Sequence, residues 1–506
     1  MPWGARSPAS SAASKAAHRG RVLCVAKVRP GGHSYYLEVV DTGVEAPGEW
    51  LSAGADLLEL RGTVVADDLE AVLAGADPSS GDRLGRSHDR VKVAGFDLTF
   101  CAPKSVSLLH ALGELDVAME VRSGHGEAVK EALSYVERRA LAVRRRSGSD
   151  RALLPVAGVA AGGFVHRVSR ALDPHLHTHV VVANLGCAPD GTWSAIDGRG
   201  VYAHAAAAGA LYHAQLRHEL TQRLGVGWEP PVNGRADIAG IGPEVRQAFS
   251  QRATAIRAHL AERGIVSEPW VASRSGRGGL TGRTQAGRGD AVGISWLGAG
   301  RQGPSWRAKT VAAFATRAER DPKLAPETLR GGWEERAREA GLSARLLEAT
   351  LDRVPRNVER ADERRVDQRH VDQRGVDQRG VDSESPSVKG LQQAVEGVLG
   401  ELGSSVTRRS AVRAWCYVLE KGAPVKEVER AADRYLSTLE PVEGWAGARD
   451  GPGVGERRYM VFERAIEREQ LVERRNMGRL LAARGMSRAD DRSLGRGREA
   501  GLDLGH

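Results

Sequence analysis

The sequence predicts an α+β fold, and three observations carry the prediction. Residues 21–230 alternate strand-like and helix-like segments. Within them, AHAAAAGALYHAQLRHELTQRLG (203–225) is an Ala-rich helix pattern, uninterrupted after Gly209. From about residue 231 the pattern becomes helical. Strands mixed with helices in this order suggest a sheet with helices on one side.

VLCVAKV (22–28) is rich in β-branched residues and reads as the first strand. DDLEAVLAG (67–75) is a short helix, and FDLTF (96–100) is a strand with Asp97 at its beginning. Residues 114–146 carry an amphipathic helix pattern that ends in Arg144, Arg145 and Arg146. LLPVAGVAAGGFVHRV (153–168) leads into a second β-branched run, His175 to Val182, with the polar turn SRALDP between them. Helical patterns return in IAGIGPEVRQAFSQRATAIRAHLAERG (238–264) and TVAAFATRAERD (310–321), and end near GGWEERAREAGLS (331–343). Between them, residues 272–306 are rich in Gly, Ser and Arg and read as a flexible insertion.

Starting at Val366 the motif VDQRH, VDQRG, VDQRG, VDS repeats every five residues, which matches neither helix nor strand periodicity and reads as a charged linker. The expected boundaries are a disordered extension (1–20), a main domain (21–345), the linker (346–386) and a small helical domain (387–506). That last domain contains KGLQQAVEGVLGEL, RRSAVRAWCYVLEKG and VKEVERAADRYLSTL as three helices.

At 506 residues the chain is long enough for two or three domains. A formal net charge of +9 and a pI near 9.5 favour a polyanionic partner without identifying one. Four well-separated cysteines, Cys24, Cys101, Cys187 and Cys416, suggest neither a disulfide framework nor a thiolate zinc site, and fit a reducing cytoplasm. No apolar run approaches the roughly 18 residues of a membrane span, so membrane insertion is not expected. The first twenty residues lack the apolar core of a secretory signal. No G-x-x-x-x-G-K-[ST] phosphate loop occurs, so no ATP hydrolysis is expected.

The densest chemistry lies in FVHRVSRALDPHLHTHVVVANLG. Alternate strand residues share a face, so His175, His177 and His179 point the same way. A hairpin centred between Ala171 and Leu172 places His166 opposite His177. Residues directly opposite have Cβ atoms about 4.5–5.5 Å apart, near enough for His166, His177 and His179 to share one metal ion. Three imidazoles with open coordination positions make a catalytic type of site, not a closed structural one. By softness alone, Zn, Ni, Mn or Fe suit three imidazoles.

The run His166–His179 matches HxxSRxxDPxLHTH, and with it the chain resembles a TrwC/MobF-type conjugative relaxase of the HUH endonuclease superfamily. FDLTFCAPKSVSLLHALG (96–113) and SYYLEVVDTGVEAPGEWLSAGADLLELRGTV (34–64) resemble two further blocks of that family, in its order. The resemblance covers roughly residues 21–345. It implies an HUH-type antiparallel sheet palm with helices, a helical region that closes over DNA, and one divalent metal ion, usually Mg or Mn, with Zn or Ni as further options. It implies cleavage of single-stranded DNA at a transfer origin through a 5′-phosphotyrosyl intermediate.

Among the eight tyrosines, Tyr35 and Tyr36 alone sit in a block resembling the nucleophile segment, with Tyr35 in the catalytic place and Tyr36 as the alternative. The second tyrosine pair of many relatives is missing from VVDTGVEAPGEW, which favours a single nucleophile. Asp97 matches the acid that hydrogen-bonds a metal-binding imidazole, fixing its tautomer. Lys104, Arg144, Arg145, Arg146 and Arg170 are candidate phosphate contacts, with Trp193 and Trp228 as weaker stacking candidates. For Lys104 a helix-start role is equally compatible, and for Arg170 bracing of the turn. Asp173 and Pro174 are expected to shape that turn. His175 is left outside the ligand set.

RRYMVFERAIEREQLVERR (457–475) resembles the region preceding the helicase of larger relatives, and no helicase pattern follows it. A separate helicase, an accessory DNA-binding protein or a coupling protein are the partners this implies. A rolling-circle replication initiator of the same superfamily and a non-catalytic DNA-binding remnant are the alternative readings.

Overall fold

The computed structural model describes residues 23–32, 34, 36–37, 45–85, 92–147, 150–265, 306–316, 326–351, 388–402, 405–439 and 459–460. Tyr35, the N-terminal extension, residues 272–305 and the VDQRG linker lie outside the described residues. In chain order the elements begin β1 (Leu23–Val28), β2 (Glu49–Trp50), α1 (Ala53–Leu57), α2 (Ala66–Ala74), β3 (Gly95–Cys101), α3 (Lys104–Leu112) and α4 (Leu115–Ala140). Next come β4 (Ala142–Ser147), β5 (Asp150–Pro155), β6 (Gly158–Val168), β7 (Pro174–Cys187), β8 (Trp193–Ser194) and α5 (Gly198–Leu224). Five shorter helices follow: α6 (Pro243–Ala248), α7 (Gln251–Ala261), α8 (Trp306–Ala315), α9 (Pro326–Glu339) and α10 (Ala344–Glu348). The last group is α11 (Val388–Leu402), β9 (Ser405–Val406), α12 (Arg408–Val418), α13 (Val425–Ser437) and β10 (Tyr459–Met460).

The main sheet is antiparallel throughout, in the order β1-β3-β7-β6-β2, with β8 paired to the end of β7. This is the α+β class the sequence predicts. Its two faces are sorted by strand alternation. Phe96, Leu98 and Phe100 of β3, with Leu176, Val180 and Val182 of β7, join the large core under α4 and α5. Val181, Ala183 and Leu185 of β7 join Phe164 of β6 in a smaller cluster on the other face, covered by Tyr36, α1 and α2. The histidines of β7 share this second face.

Helix α5 begins where the Asp197 side chain accepts from the Arg199 backbone N–H, and ends at Gly225, whose φ of 66° is the left-handed cap that favours glycine. Its small residues let it lie against α4 and the sheet. Between the three elements, His125 of α4 bridges Thr178 Oγ1 (2.7 Å) and the Tyr212 hydroxyl (2.8 Å). Burial holds the His125 imidazole down at about 3 and the His110 imidazole at about 4. Both groups are therefore neutral in the fold, whereas the unfolded chain protonates them near the ordinary 6.5. Below that pH the unfolded state takes up protons that the folded state refuses, so stability is lost as pH falls from 6.5 toward the folded values. His125 alone should cost about 2 kcal/mol between pH 6.5 and 5. Urea midpoints at pH 7 and pH 5 should therefore differ more for the native protein than for His125→Gln, which keeps a donor and an acceptor but cannot titrate.

One segment departs from the sequence expectation. The helix pattern of 114–146 stops at Ala140, and Arg144–Arg146 lie on β4, paired with β5. Leu141 is already extended, and Ala142 and Val143 are buried, so the chain leaves the helix with its apolar residues turned inward. The Ser-Gly-Ser stretch at 147–149 between the two runs is the turn composition that a helical reading overlooks.

The helices from residue 388 onward share the large core with α4 and α5. The Arg217 side chain of α5, only 1% exposed, donates to the carbonyls of Gly234, Cys416 and Leu419. Glu429 of α13 is held by Arg138, Arg139 and Arg408. What the sequence suggests as a small domain of its own is thus packed directly on the sheet-covering helices.

Candidate metal centre

The turn between β6 and β7 sets the site. The register pairs His166 with His177 and Phe164 with His179, as expected, although the turn itself is centred on Ala171, with Val168 opposite Pro174, and a one-residue irregularity between His166 and Val168 makes up the difference. One metal-binding atom from each of His166, His177 and His179 lies within 4.8 Å of the others, and His175 is not part of this group. The three rings pack edge to face, with centroids 5.1–5.2 Å apart.

Two of the three tautomers follow from hydrogen bonding. His177 Nδ1 lies 2.8 Å from the His175 carbonyl, which can only accept, so the proton sits on Nδ1 and Nε2 keeps its lone pair. His179 Nδ1 lies 2.8 Å and 3.0 Å from the two Asp97 carboxylate oxygens and donates to them, again presenting Nε2. A metal-ligating imidazole tied through its other nitrogen to a carboxylate or carbonyl is the usual supporting arrangement. The donor set fits a divalent ion, and the three imidazoles alone leave room for substrate oxygens. The neighbouring His175 ring stacks on His177 at 4.5 Å, and burial keeps its imidazole well below the ordinary value.

Asp97 collects more than one donor. The Tyr36 hydroxyl donates to Oδ2 at 3.1 Å and the Thr99 hydroxyl to Oδ1 at 3.2 Å. Tyr36 is buried, stacks on Phe164 at 5.5 Å and sits 5.6 Å from the His179 ring. Its oxygen therefore lies on the Nδ1 side of His179, behind the ligand atom. Thr99 shares the face of Asp97 two residues along β3, a contact that strand alternation makes legible once the acid is singled out. Replacing Asp97 by asparagine should weaken divalent-cation binding about 10- to 100-fold, because the amide is a poorer acceptor for the His179 N–H. Calorimetric titration of metal-stripped protein with Mn²⁺ measures this.

The remaining candidates are scattered. Lys104 starts α3, and its ammonium donates to the Pro174 carbonyl at 2.7 Å, with burial pulling its pKa down to about 8. Arg170 is half-buried on the hairpin turn. Arg144 is exposed, whereas Arg145 is engaged by both oxygens of Asp190 at 2.7 and 3.1 Å. The side chain of Arg146 lies outside the described residues. Trp228 is half-buried and donates its indole N–H to Thr221 Oγ1, and Trp193 is half-buried against the smaller core. Asp173, expected to shape the turn, does more. It is fully buried and accepts from Gln251 and Arg336, partners 78 and 163 residues away that no local pattern reveals.

Comparison with known proteins agrees with this geometry. The sequence matches the TrwC relaxase family over residues 11–340. It is 33% identical over 224 residues to the multifunctional conjugation protein TraI of Escherichia coli, a match covering 42% of this chain but only 12% of that protein. The fold is similar to the conjugative relaxase TrwC in complex with oriT DNA in a metal-bound structure, with a TM-score of 0.52 and 27% identity over 64% of this chain and 99% of that one. It is also similar to TrwC complexed with a 27-mer DNA comprising the recognition hairpin and the cleavage site, with a TM-score of 0.50, 28% identity and the same coverage. A sheet, a histidine hairpin and a family match spanning more than half of the residues converge: this chain belongs to the TrwC relaxase family.

Proposed function

We propose that this protein nicks one strand of DNA at the transfer origin of a plasmid or integrative element and carries the 5′ end covalently on Tyr35. The observation that carries the reading is the His166–His177–His179 cluster, supported from behind by Asp97 and Tyr36. When bound, a divalent ion supplies charge neutralisation on the phosphate oxygens and aligns the phosphate for in-line attack. The relatives crystallised with oriT DNA and with metal favour that assignment for this chain.

The resemblance of the SYYLEVV block assigns the nucleophile to Tyr35, and the hydrogen bond of Tyr36 supports a separate role for that residue. Tyr36 commits its hydroxyl to Asp97 and is a positioning residue for His179. Tyr35, the next residue along, is the nucleophile. Its oxygen forms the bond to phosphorus, the bond to the 3′ oxygen breaks, and the phenol proton is balanced by the one the 3′-hydroxyl gains. The phosphotyrosyl bond conserves the energy of the cut strand for rejoining. Lys104 acts by bracing β7 through the Pro174 carbonyl. The β4–β5 ribbon carries Arg144, Arg145, Arg146 and Arg151, and a two-stranded ribbon fits a duplex major groove. It is the surface we assign to DNA contact, with Arg170 near the single strand. Among the described residues no helix is long and apolar enough to cross a membrane. Action in the cytoplasm, with a helicase or coupling protein acting separately, completes the proposal.

The test incubates purified protein and Mg²⁺ or Mn²⁺ with supercoiled DNA carrying its native flanking region. The expected product is nicked DNA bearing a denaturation-resistant protein adduct at a unique position. DNA binding with no adduct under either metal would reduce the protein to a non-catalytic DNA-binding remnant.

A further inference from the structure

Helix α9 lies against the metal hairpin and grips it at three points. Near its start Glu327 accepts from Arg167 at 2.6 Å, and Arg167 adjoins His166 on β6. In the middle the Trp333 indole N–H donates to the Leu172 carbonyl at 2.8 Å. Toward its end Arg336 donates to Asp173 at 3.0 Å. Asp173 accepts in addition from the backbone and side-chain N–H groups of Gln251, the first residue of α7, at 2.8 and 3.1 Å. Two separate helices of the post-sheet region thus converge on one buried carboxylate in the hairpin turn.

The turn they hold is strained. Leu172 has a φ of 58°, in the left-handed region that a residue with a Cβ seldom occupies. Such a conformation persists only where the surroundings over-determine it. Here its carbonyl is fixed by Trp333, and the next residue by Arg336 and Gln251. Ser169 closes the turn from the other side, with its backbone N–H on the Asp173 carbonyl at 2.9 Å and its hydroxyl accepting from the Asp173 backbone N–H at 3.1 Å. Both strands lead from this turn to the ligands. His166 lies three residues before Ser169, His177 four residues after Asp173, and a register irregularity separates the His166–His177 pair from the next pair toward the turn. The turn and this irregularity together set which residue stands opposite His177.

We propose that Asp173 is a positioning residue of the metal centre: through it, α7 and α9 hold the strained turn, and the turn keeps His166 opposite His177. The inference rests on the reading of the three histidines as metal ligands. It makes the helical region and the metal site parts of one device, so that any displacement of α9 is felt at the ligands, and metal occupancy in turn favours the docked helix.

The experiment titrates metal-stripped full-length protein with Co²⁺ and follows its visible absorption, which reports both affinity and ligand geometry. Arg336→Ala and Trp333→Phe should each weaken Co²⁺ binding about tenfold, as loss of an outer hydrogen-bond partner does at other metal sites, and should alter the absorption band. Arg336→Lys should recover most of the affinity, since an ammonium can still donate to Asp173. Should Arg336→Ala fail to fold, Asp173→Asn decides, because it keeps the size of the side chain and removes the charge that Arg336 pairs with, and it should weaken Co²⁺ binding likewise. Native affinity and an unchanged band in the variants would overturn the proposal, even if their thermal stability fell. If the native protein takes up no Co²⁺, the metal reading falls first and this inference with it.

Discussion

Tyr35→Phe should eliminate the covalent protein–DNA adduct and reduce strand cleavage by at least about 10³-fold, because no other group takes over a missing nucleophile efficiently. Binding of single-stranded DNA should be nearly unchanged, since only one hydroxyl is lost. The informative contrast is Tyr36→Phe. That change removes the 3.1 Å hydrogen bond to Asp97 while leaving the ring stacked on Phe164. Its expected effect is smaller, about tenfold on metal affinity and cleavage, with the adduct still formed. Gel analysis under denaturing conditions separates the two outcomes, because the adduct changes the mobility of the labelled strand. An adduct lost in Tyr36→Phe and kept in Tyr35→Phe would reverse the assignment.

The second large effect is expected from His177→Ala. This residue stands at the centre of the cluster, opposite His166 and two residues from His179. Removing it should weaken divalent-cation binding by more than the 10- to 100-fold typical of a supporting partner, so at least about 100-fold. Cleavage at saturating metal should fall about 10²- to 10³-fold, comparable to losing one electrostatic stabiliser of a transition state. The fold should survive, because the larger of the two apolar cores lies on the opposite face of β7, under α4 and α5. Calorimetry for the metal and a cleavage time course check the two halves. A variant that cleaves normally would separate the histidine cluster from the chemistry.

Much of the site was legible because it is local. His166, His177 and His179 lie within fourteen residues of chain, so alternation and one turn determine their geometry. Asp97 was legible only through the resemblance of its block, since nothing in FDLTF alone says that β3 pairs with β7 and sets the acid beside His179. The β4–β5 ribbon was obscured by a helix whose charged residues continue smoothly into the arginine run. Nothing in HAQLRHEL marks Arg217 as buried, and it is buried because α12 closes over it from nearly 200 residues away. The same holds for the grip of α7 and α9 on Asp173. Contacts of that range leave no periodicity in either partner, so only the fold reveals them.

The proposed chemistry is attack of the Tyr35 hydroxyl on the scissile phosphate. It is tested most directly by digesting the trapped protein–DNA adduct with protease and nuclease and locating the modified residue by mass spectrometry. The expected product is a nucleotide joined through its 5′ phosphate to Tyr35, formed only when a divalent cation is supplied. A modification on any residue other than Tyr35, or a 3′-linked nucleotide, would contradict it.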